Sequence, residues 1–190
     1  DIRKSERILI DVIEINNNLC LNVAGTGLDS FVAHSFDKLS TRGFWSYAYV
    51  TFMNLIRLKP VHVRINLDGE TIEDDLFTLT IANTRQFGNN AYIAPEARPN
   101  DGIIDLVLLK PFPKIKAPLI VFRLFTGTLG KSKYVRYIKT GKPFSITAHE
   151  TKFHIDGEPV LLSGEINVRI RRNVLSVLKT RRNKLEINPS

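Results

Sequence analysis

Apolar and polar residues alternate with a period of two in many short runs of this chain, the pattern of strands with one face in a core and the other in water. The clearest run is 61–67, where Val61, Val63, Ile65 and Leu67 alternate with His62, Arg64 and Asn66; Asp68-Gly69 then supplies a hairpin turn leading into Leu76 to Ala82. Upstream, the β-branched stretch Arg7 to Ile15 and the segment Leu19 to Val23 flank Asn16-Asn17-Asn18, a cluster suited to positive φ, which predicts a second hairpin. Further strands are expected at Ile103 to Leu109, Tyr134 to Ile138, Phe144 to Ala148, Lys152 to Ile155 and Ile166 to Ile170. Helical spacing is seen at Phe31 to Leu39, at Trp45 to Leu58 ahead of Pro60, and at Ile115 to Leu129 behind two prolines. Many short strands and few helices predict a mainly β chain of α+β type, folded as an antiparallel β-sandwich. The expected organisation is one domain over residues 1–180, followed by a loosely held basic tail at 181–190.

The connection from Asn83 to Asp101 holds Gly88-Asn89-Asn90, Pro95 and Pro99. It is long for a structureless link inside a compact domain, and loops of that length are often functional.

Composition adds little to the fold and more to the setting. With 190 residues and 43% hydrophobic positions the chain can bury a substantial core. The single Cys20 rules out an internal disulfide, fits a reducing compartment and sits in an apolar segment, where a buried inert thiol is expected. The polar start, Asp1 to Glu6, is unlike a secretory leader and lacks an initiator Met, so the chain is expected to begin inside a longer protein. The longest apolar stretches are far short of the ~20 residues that span a bilayer. A formal charge of +8 points to an anionic partner.

Two segments can carry chemistry. Glu158 follows an apolar strand and the Asp156-Gly157 turn, which would present its carboxylate at a sheet edge as a general base or simply complete a hairpin. The same tripeptide occurs at Asp68-Gly69-Glu70, so the tripeptide alone does not decide. In the second segment, two prolines and a glycine shape the loop from Ala94 to Asp105, where Asp101 can hold a hard cation or close an Asx turn. The glycines of Ala24-Gly25-Thr26-Gly27 lack the spacing of a phosphate loop and read as a tight connection. His34, His62, His149 and His154 have no zinc-site spacing; His149 and His154, near Glu158, can line a cleft but are expected at the surface. From Arg169 to Lys184 there are seven basic residues and no acidic ones, a solvated face or tail, or an anion-binding one. Without aromatic RNA-binding signatures or a helix-turn-helix pattern, a membrane surface is favoured over nucleic acid.

In order along the chain, Asp11 within Ile10-Asp11-Val12, then Asn22 to Asp29, Ile81-Ala82-Asn83, the Pro95-to-Asp105 segment and His154-Ile155-Asp156-Gly157-Glu158 resemble the C-terminal half of the diacylglycerol kinase catalytic-domain family. That family includes bacterial lipid kinases, sphingosine kinases and ceramide kinases. The most specific element is Pro-x-Ala-x-x-x-Asp-Gly-x-x-Asp, met by Pro95, Ala97, Asp101, Gly102 and Asp105. The resemblance implies that Glu158 is the general base acting on a lipid hydroxyl and that Asp11 belongs to the polar network of the active site. It further implies a structural magnesium held by the Asp101 carboxylate and the carbonyl oxygens of Arg98 and Ile103. ATP would be the co-substrate, bound mainly by an N-terminal domain whose Gly-Gly-Asp-Gly-Thr loop does not occur in these 190 residues, so this fragment alone is expected to be inactive. The implied partners are a lipid substrate and an anionic membrane met peripherally from the cytoplasm, with no role for nucleic acid; a homodimer is compatible with all of this. The alternatives are the C-terminal half of a nicotinamide-nucleotide kinase and a non-enzymatic membrane-binding module.

Overall fold

Twelve strands and a nine-residue helix are present among the residues that the computed structural model describes, which are 6–27, 53, 59–148 and 152–179. The strands are β1 (Glu6–Ile15), β2 (Asn18–Cys20), β3 (Val23–Gly27), β4 (Val61–Leu67), β5 (Glu70–Leu76), β6 (Thr78–Ala82), β7 (Ile104–Leu109), β8 (Val135–Thr140), β9 (Phe144–Ala148), β10 (Lys152–Ile155), β11 (Glu158–Leu161) and β12 (Glu165–Lys179). The helix, α1, is Ala117–Phe125. Two six-stranded sheets result, in the orders β2-β1-β12-β9-β4-β5 and β11-β10-β3-β6-β7-β8, with antiparallel pairing throughout.

The expected sandwich is formed by the inner faces of these sheets. Ile13, Ile15, Val63, Ile65, Ile146 and Val168 from the first sheet meet Ala24, Leu79, Ile81, Leu106, Leu108 and Phe153 from the second in one core. Each large aliphatic side chain so buried contributes roughly 1.5–3 kcal/mol. The period-two runs of the sequence are therefore the inward sides of strands. In β3, β6 and β7 every residue is buried, because a second apolar layer covers the outer face of their sheet. That layer is α1, through Ala117, Ile120 and Leu124, together with Ala91, Ile93, Ala94 and Ala97 of the loop between β6 and β7. Small residues in that loop let its backbone lie close on the sheet.

Several elements differ from the sequence-based expectation, each for a physical reason. β5 is a separate strand rather than a lead-in to 76–82: its acidic sequence hides it, and it is stabilised by cross-strand pairs with β4, His62 to Glu73 and Asp75 and Arg64 to Glu73. Charge also protects this sheet edge from pairing with other chains. α1 is shorter than Ile115 to Leu129, because Gly127 at φ +67° ends it and Thr128 N–H donates back to Arg123 O at 2.9 Å. β11 is an added edge strand, and β12 runs on to Lys179, so the first part of the basic run is strand rather than tail. The helices expected at 31–39 and 45–58 lie outside the described residues, apart from Met53, which is helical; the tail at 181–190 lies outside them too. Cys20 is buried, as expected.

Candidate functional site

Asp11 lies where the pairing of β1 with β12 is broken. Ile10 faces Leu175 and Val12 faces Arg171, so three residues of β12 stand opposite Asp11 alone, and Asn173 takes φ +53° to complete the bulge. The Asp11 side chain, 1% exposed, fills the space the bulge opens. Its Oδ1 accepts from Asn173 N–H at 2.8 Å and its Oδ2 from Gly102 N–H at 2.7 Å. Its backbone N–H donates to Pro99 O at 2.6 Å. One carboxylate thus buckles the bulge of β12 to the turn that contains Asp101.

The same residue connects to the other end of the candidate site through Asn83, which is fully buried. Asn83 Nδ2 donates to Asp11 O and to Leu21 O, both at 2.9 Å, which fixes the orientation of the amide. Its backbone N–H donates to Asn22 O at 2.9 Å, and Thr84 Oγ1 bonds the Asn22 side chain. The turn at Leu21-Asn22 is held from its other side by Asp156. That carboxylate accepts from the N–H groups of Leu21 at 2.8 Å, Asn22 at 2.7 Å and Val23 at 3.2 Å, and from the Cys20 thiol at 3.3 Å. Burial, with the Asp156 charge beside it, pushes the Cys20 thiol far up from its ordinary value, so it is an inert donor.

Glu158 follows Asp156 at the mouth of the β10–β11 hairpin and is exposed. Asp156 and Gly157 have φ +52° and +91°, and Asp68 and Gly69 of the first copy have +59° and +81°, so the two turns have the same local form. They differ in surroundings: Asp68 reaches the exposed Lys142 at 2.6 Å, whereas Asp156 is anchored to the backbone of a neighbouring turn.

Asp101 makes the Asx turn that was one of its two expected roles, its Oδ1 accepting from Ile103 N–H at 3.0 Å. Burial raises its pKa, and the charge of Asp11 adds to the rise. Arg172 Nη2 donates to Gly102 O at 3.3 Å on the same turn. Arg98 and Ile103 flank it, half-buried. A carboxylate with two backbone carbonyls is an all-oxygen donor set suited to magnesium, and a cation there would relieve the crowding of Asp101 with Asp11, so the residues fit the ion. Among the described residues no group of three or more His, Cys, Asp or Glu side chains is placed to hold a metal.

Asp105, on β7 just past this turn, is 2% exposed and lines a cavity of about 390 Å³ with Glu96, Tyr137 and Lys139. Lys139 Nζ is 2.9 Å from Glu96 and 3.7 Å from Asp105. Burial raises the Asp105 pKa to about 6, Lys139 pulls it back, and Asp101 and Glu96 add to the rise. An acid raised in the folded state holds its proton where the unfolded chain has lost it. Stability therefore falls as pH rises from the ordinary 3.8 to about 6, and stays lowered above that. Asp105→Asn removes this component, so melting curves between pH 4 and 7 should move in the variant's favour relative to wild type as pH rises. A constant difference across the window would mean that Asp105 does not titrate this way.

Of the residues singled out from sequence, the fold joins Asp11 to the Arg98–Ile103 turn directly, and to the Glu158 hairpin through Asn83, the Leu21-Asn22 turn and Asp156. Of the residues that do the joining, Asn83, Asn22 and Asp156 lie in the motifs that carry the family resemblance but had no linking role read from sequence, and Asn173 was not singled out at all. His154 is a correction: it was expected at the surface but is 2% exposed, with its ring 6.4 Å from that of Phe87. In β10 it sits on a strand covered on both sides. His149 lies outside the described residues.

Residues 22–179 match the family described as the YegS C-terminal NAD kinase beta sandwich-like domain. The protein named "probable lipid kinase YegS-like" from Shewanella frigidimarina is 31% identical over 152 residues, which cover 79% of this chain and 49% of that protein. A diacylglycerol kinase of Bacillus subtilis is 24% identical over 172 residues, covering 89% of this chain and 56% of its own length. The chain thus spans about half the length of these curated relatives. Among solved structures, a diacylglycerol kinase of Bacillus anthracis superposes with a TM-score of 0.62 at 15% identity over 93% of this chain and 55% of its own, a likeness of fold.

Proposed function

Because the chain belongs to the YegS C-terminal domain family and so is a C-terminal domain of a lipid-kinase-family protein, we propose that it binds lipid and removes a proton in an ATP-dependent phosphoryl transfer to a diacylglycerol-like or sphingoid hydroxyl. The observation that supports this reading best is the unbroken run of hydrogen bonds from the Asp156-Gly157-Glu158 hairpin through Asn83 to Asp11 and the Asp101 turn. An exposed carboxylate on a rigidly anchored turn suits a group that must meet an incoming hydroxyl at hydrogen-bond distance. Glu158 takes the hydroxyl proton as the lipid oxygen bonds to the γ-phosphorus of ATP and the bond from that phosphorus to the β–γ bridging oxygen breaks. Positioning and charge stabilisation supply most of the rate enhancement in such transfers.

Asp11 acts as a positioning residue, since both of its oxygens are engaged by backbone N–H groups. A magnesium ion held by the Asp101 carboxylate and the carbonyls of Arg98 and Ile103 would offset negative charge and stiffen the turn. On this reading most ATP contacts belong to an N-terminal domain carrying a Gly-Gly-Asp-Gly-Thr loop, and the 190 residues by themselves are inactive.

The test is phosphate transfer from labelled ATP by the full-length protein to a panel of diacylglycerol, sphingoid base and NAD. Label in a lipid supports the reading, label in NAD favours the nicotinamide-nucleotide alternative, and label in none of them points to a binding module. In the same protein, millimolar magnesium without ATP should raise the melting temperature of wild type and not of Asp101→Ala, since a ligand of the folded state stabilises it. An equal rise in both proteins would remove Asp101 from the cation site.

A further inference from the structure

Between Asp105 and Glu150 the sequence contains nine Lys and Arg residues and no acidic residue. α1 lies inside this stretch. One side of it, Ala117, Ile120 and Leu124, is buried against the outer face of the second sheet. The opposite side carries Leu119 and Phe122, and Ile115 precedes them in the 3-10 turn Lys114–Lys116 that leads into the helix. Spacings of four and three residues put these side chains on one face. They are 84% (Ile115), 42% (Leu119) and 63% (Phe122) exposed, where a helix packed on a soluble domain ordinarily turns polar groups to water. Lys114 and Lys116 flank them, Arg123 stands in the last helical turn, and exposed Lys131, Lys133 and Arg136 follow. Of the nine cations, Lys110, Lys139 and Lys142 pair with Asp74, Glu96 and Asp68, as Arg169 and Arg171 do with Glu14 and Arg64 with Glu73 on the first sheet; the cations named around α1 are not among these pairs.

We propose that this face of α1 seats the domain on an anionic lipid bilayer, with Ile115, Leu119 and Phe122 entering the boundary between headgroups and acyl chains and the surrounding cations meeting lipid phosphates. The combination of an apolar stripe with a one-sign basic border is the chemistry of interfacial helices. It fits a bilayer better than a second copy of this chain, because a symmetric contact would bring the same cations against each other. The inference draws its purpose from the lipid-kinase reading, because an enzyme that phosphorylates a bilayer lipid must reach the bilayer. Tyr92 N–H donates to Leu124 O at 2.9 Å, so the helix is also tied to the loop that leads to the Asp101 turn.

The experiment is sedimentation of the full-length protein with vesicles of phosphatidylcholine alone or with about one-third phosphatidylglycerol, without ATP and without any substrate lipid. Binding is expected with the anionic vesicles and should fall steeply with salt. Leu119→Ser with Phe122→Ser should weaken it about tenfold or more through lost apolar contact, and Lys114→Ser with Lys116→Ser roughly fivefold per charge. Because all four side chains point to solvent, melting temperatures should hold. Arg169→Ser with Arg171→Ser should leave binding near wild type. Equal binding to neutral vesicles, unchanged binding by the helix variants, or a dimer that Phe122→Ser dissociates in protein lacking vesicle affinity would each overturn the proposal. Activity of the same variants on a monomeric short-chain lipid separates the two ideas: loss of vesicle binding with activity intact is expected, whereas an inactive wild type that binds vesicles would fault the kinase reading alone.

Discussion

Glu158→Gln is expected to lower lipid phosphorylation by the full-length enzyme about 10²- to 10⁴-fold, the usual cost of losing a general base. Gln keeps the size and hydrogen-bonding reach of Glu but does not take up a proton at this step. Glu158 is exposed at a hairpin mouth, so the change should leave the fold intact. Glu70→Gln is the matched control, because it follows a turn of the same backbone form, with Asp68 and Gly69 both at positive φ. Its turn is tied to Lys142 in the connection between β8 and β9, and Glu70 lies on the edge strand β5, with β4, β9 and β12 between it and β1. Its turnover should stay near wild type. The measurements are turnover at saturating lipid and ATP, the pH profile of turnover, and melting temperature for both variants. Loss of the limb at low pH together with turnover would mark a proton acceptor. Equal losses from the two substitutions at matched stability would remove Glu158 from that role.

Asp11→Ala should lower stability by about 3 kcal/mol or more, because it strands two backbone N–H groups, those of Gly102 and Asn173, each at roughly 1–3 kcal/mol when buried and unpaired. In a chain of this size that corresponds to a fall of roughly 6–12 °C in melting temperature. Asp11→Asn keeps one acceptor but turns an NH₂ group toward the other N–H, so its loss should be intermediate. Urea unfolding at neutral pH measures both, and hydrogen exchange at Gly102 and Asn173 should speed up in each. A loss below about 1 kcal/mol for Asp11→Ala would mean that water replaces the carboxylate and that the buckle is not structural. Because the same bonds hold the Asp101 turn in register with β12, activity should drop with Asp11 as well, through misplacement rather than through lost proton transfer.

Part of this molecule is local chemistry, and that part was open to reading from residues. Alternation in 61–67 and 144–148 gives strands because a side-chain period of two needs only the chain itself and a core. The turns at Asn16 and Asp156 are legible because Asn, Asp and Gly tolerate positive φ. Where charge overrode pattern, as in the acidic β5, the strand was hidden, since what holds it is a set of cross-strand ions on β4 that local sequence does not announce.

A sandwich of short antiparallel strands and a buried inert cysteine follow from residue type and spacing, and the candidates Asp11, Asp101 and Glu158 follow from the order of motifs that carries the family resemblance. What the tertiary structure added is how differently the two copies of Asp-Gly-Glu are surrounded. Two identical tripeptides with the same backbone turn part company because one Asp is held by the N–H groups of residues more than 130 positions away, and the other by a surface lysine. It also decided that Asp11 is a buckle rather than an exposed acid, since that requires a bulge in β12 far along the chain to aim Asn173 N–H at it. Contacts between residues so distant in sequence depend on how sheets pair and stack, and no local periodicity encodes them.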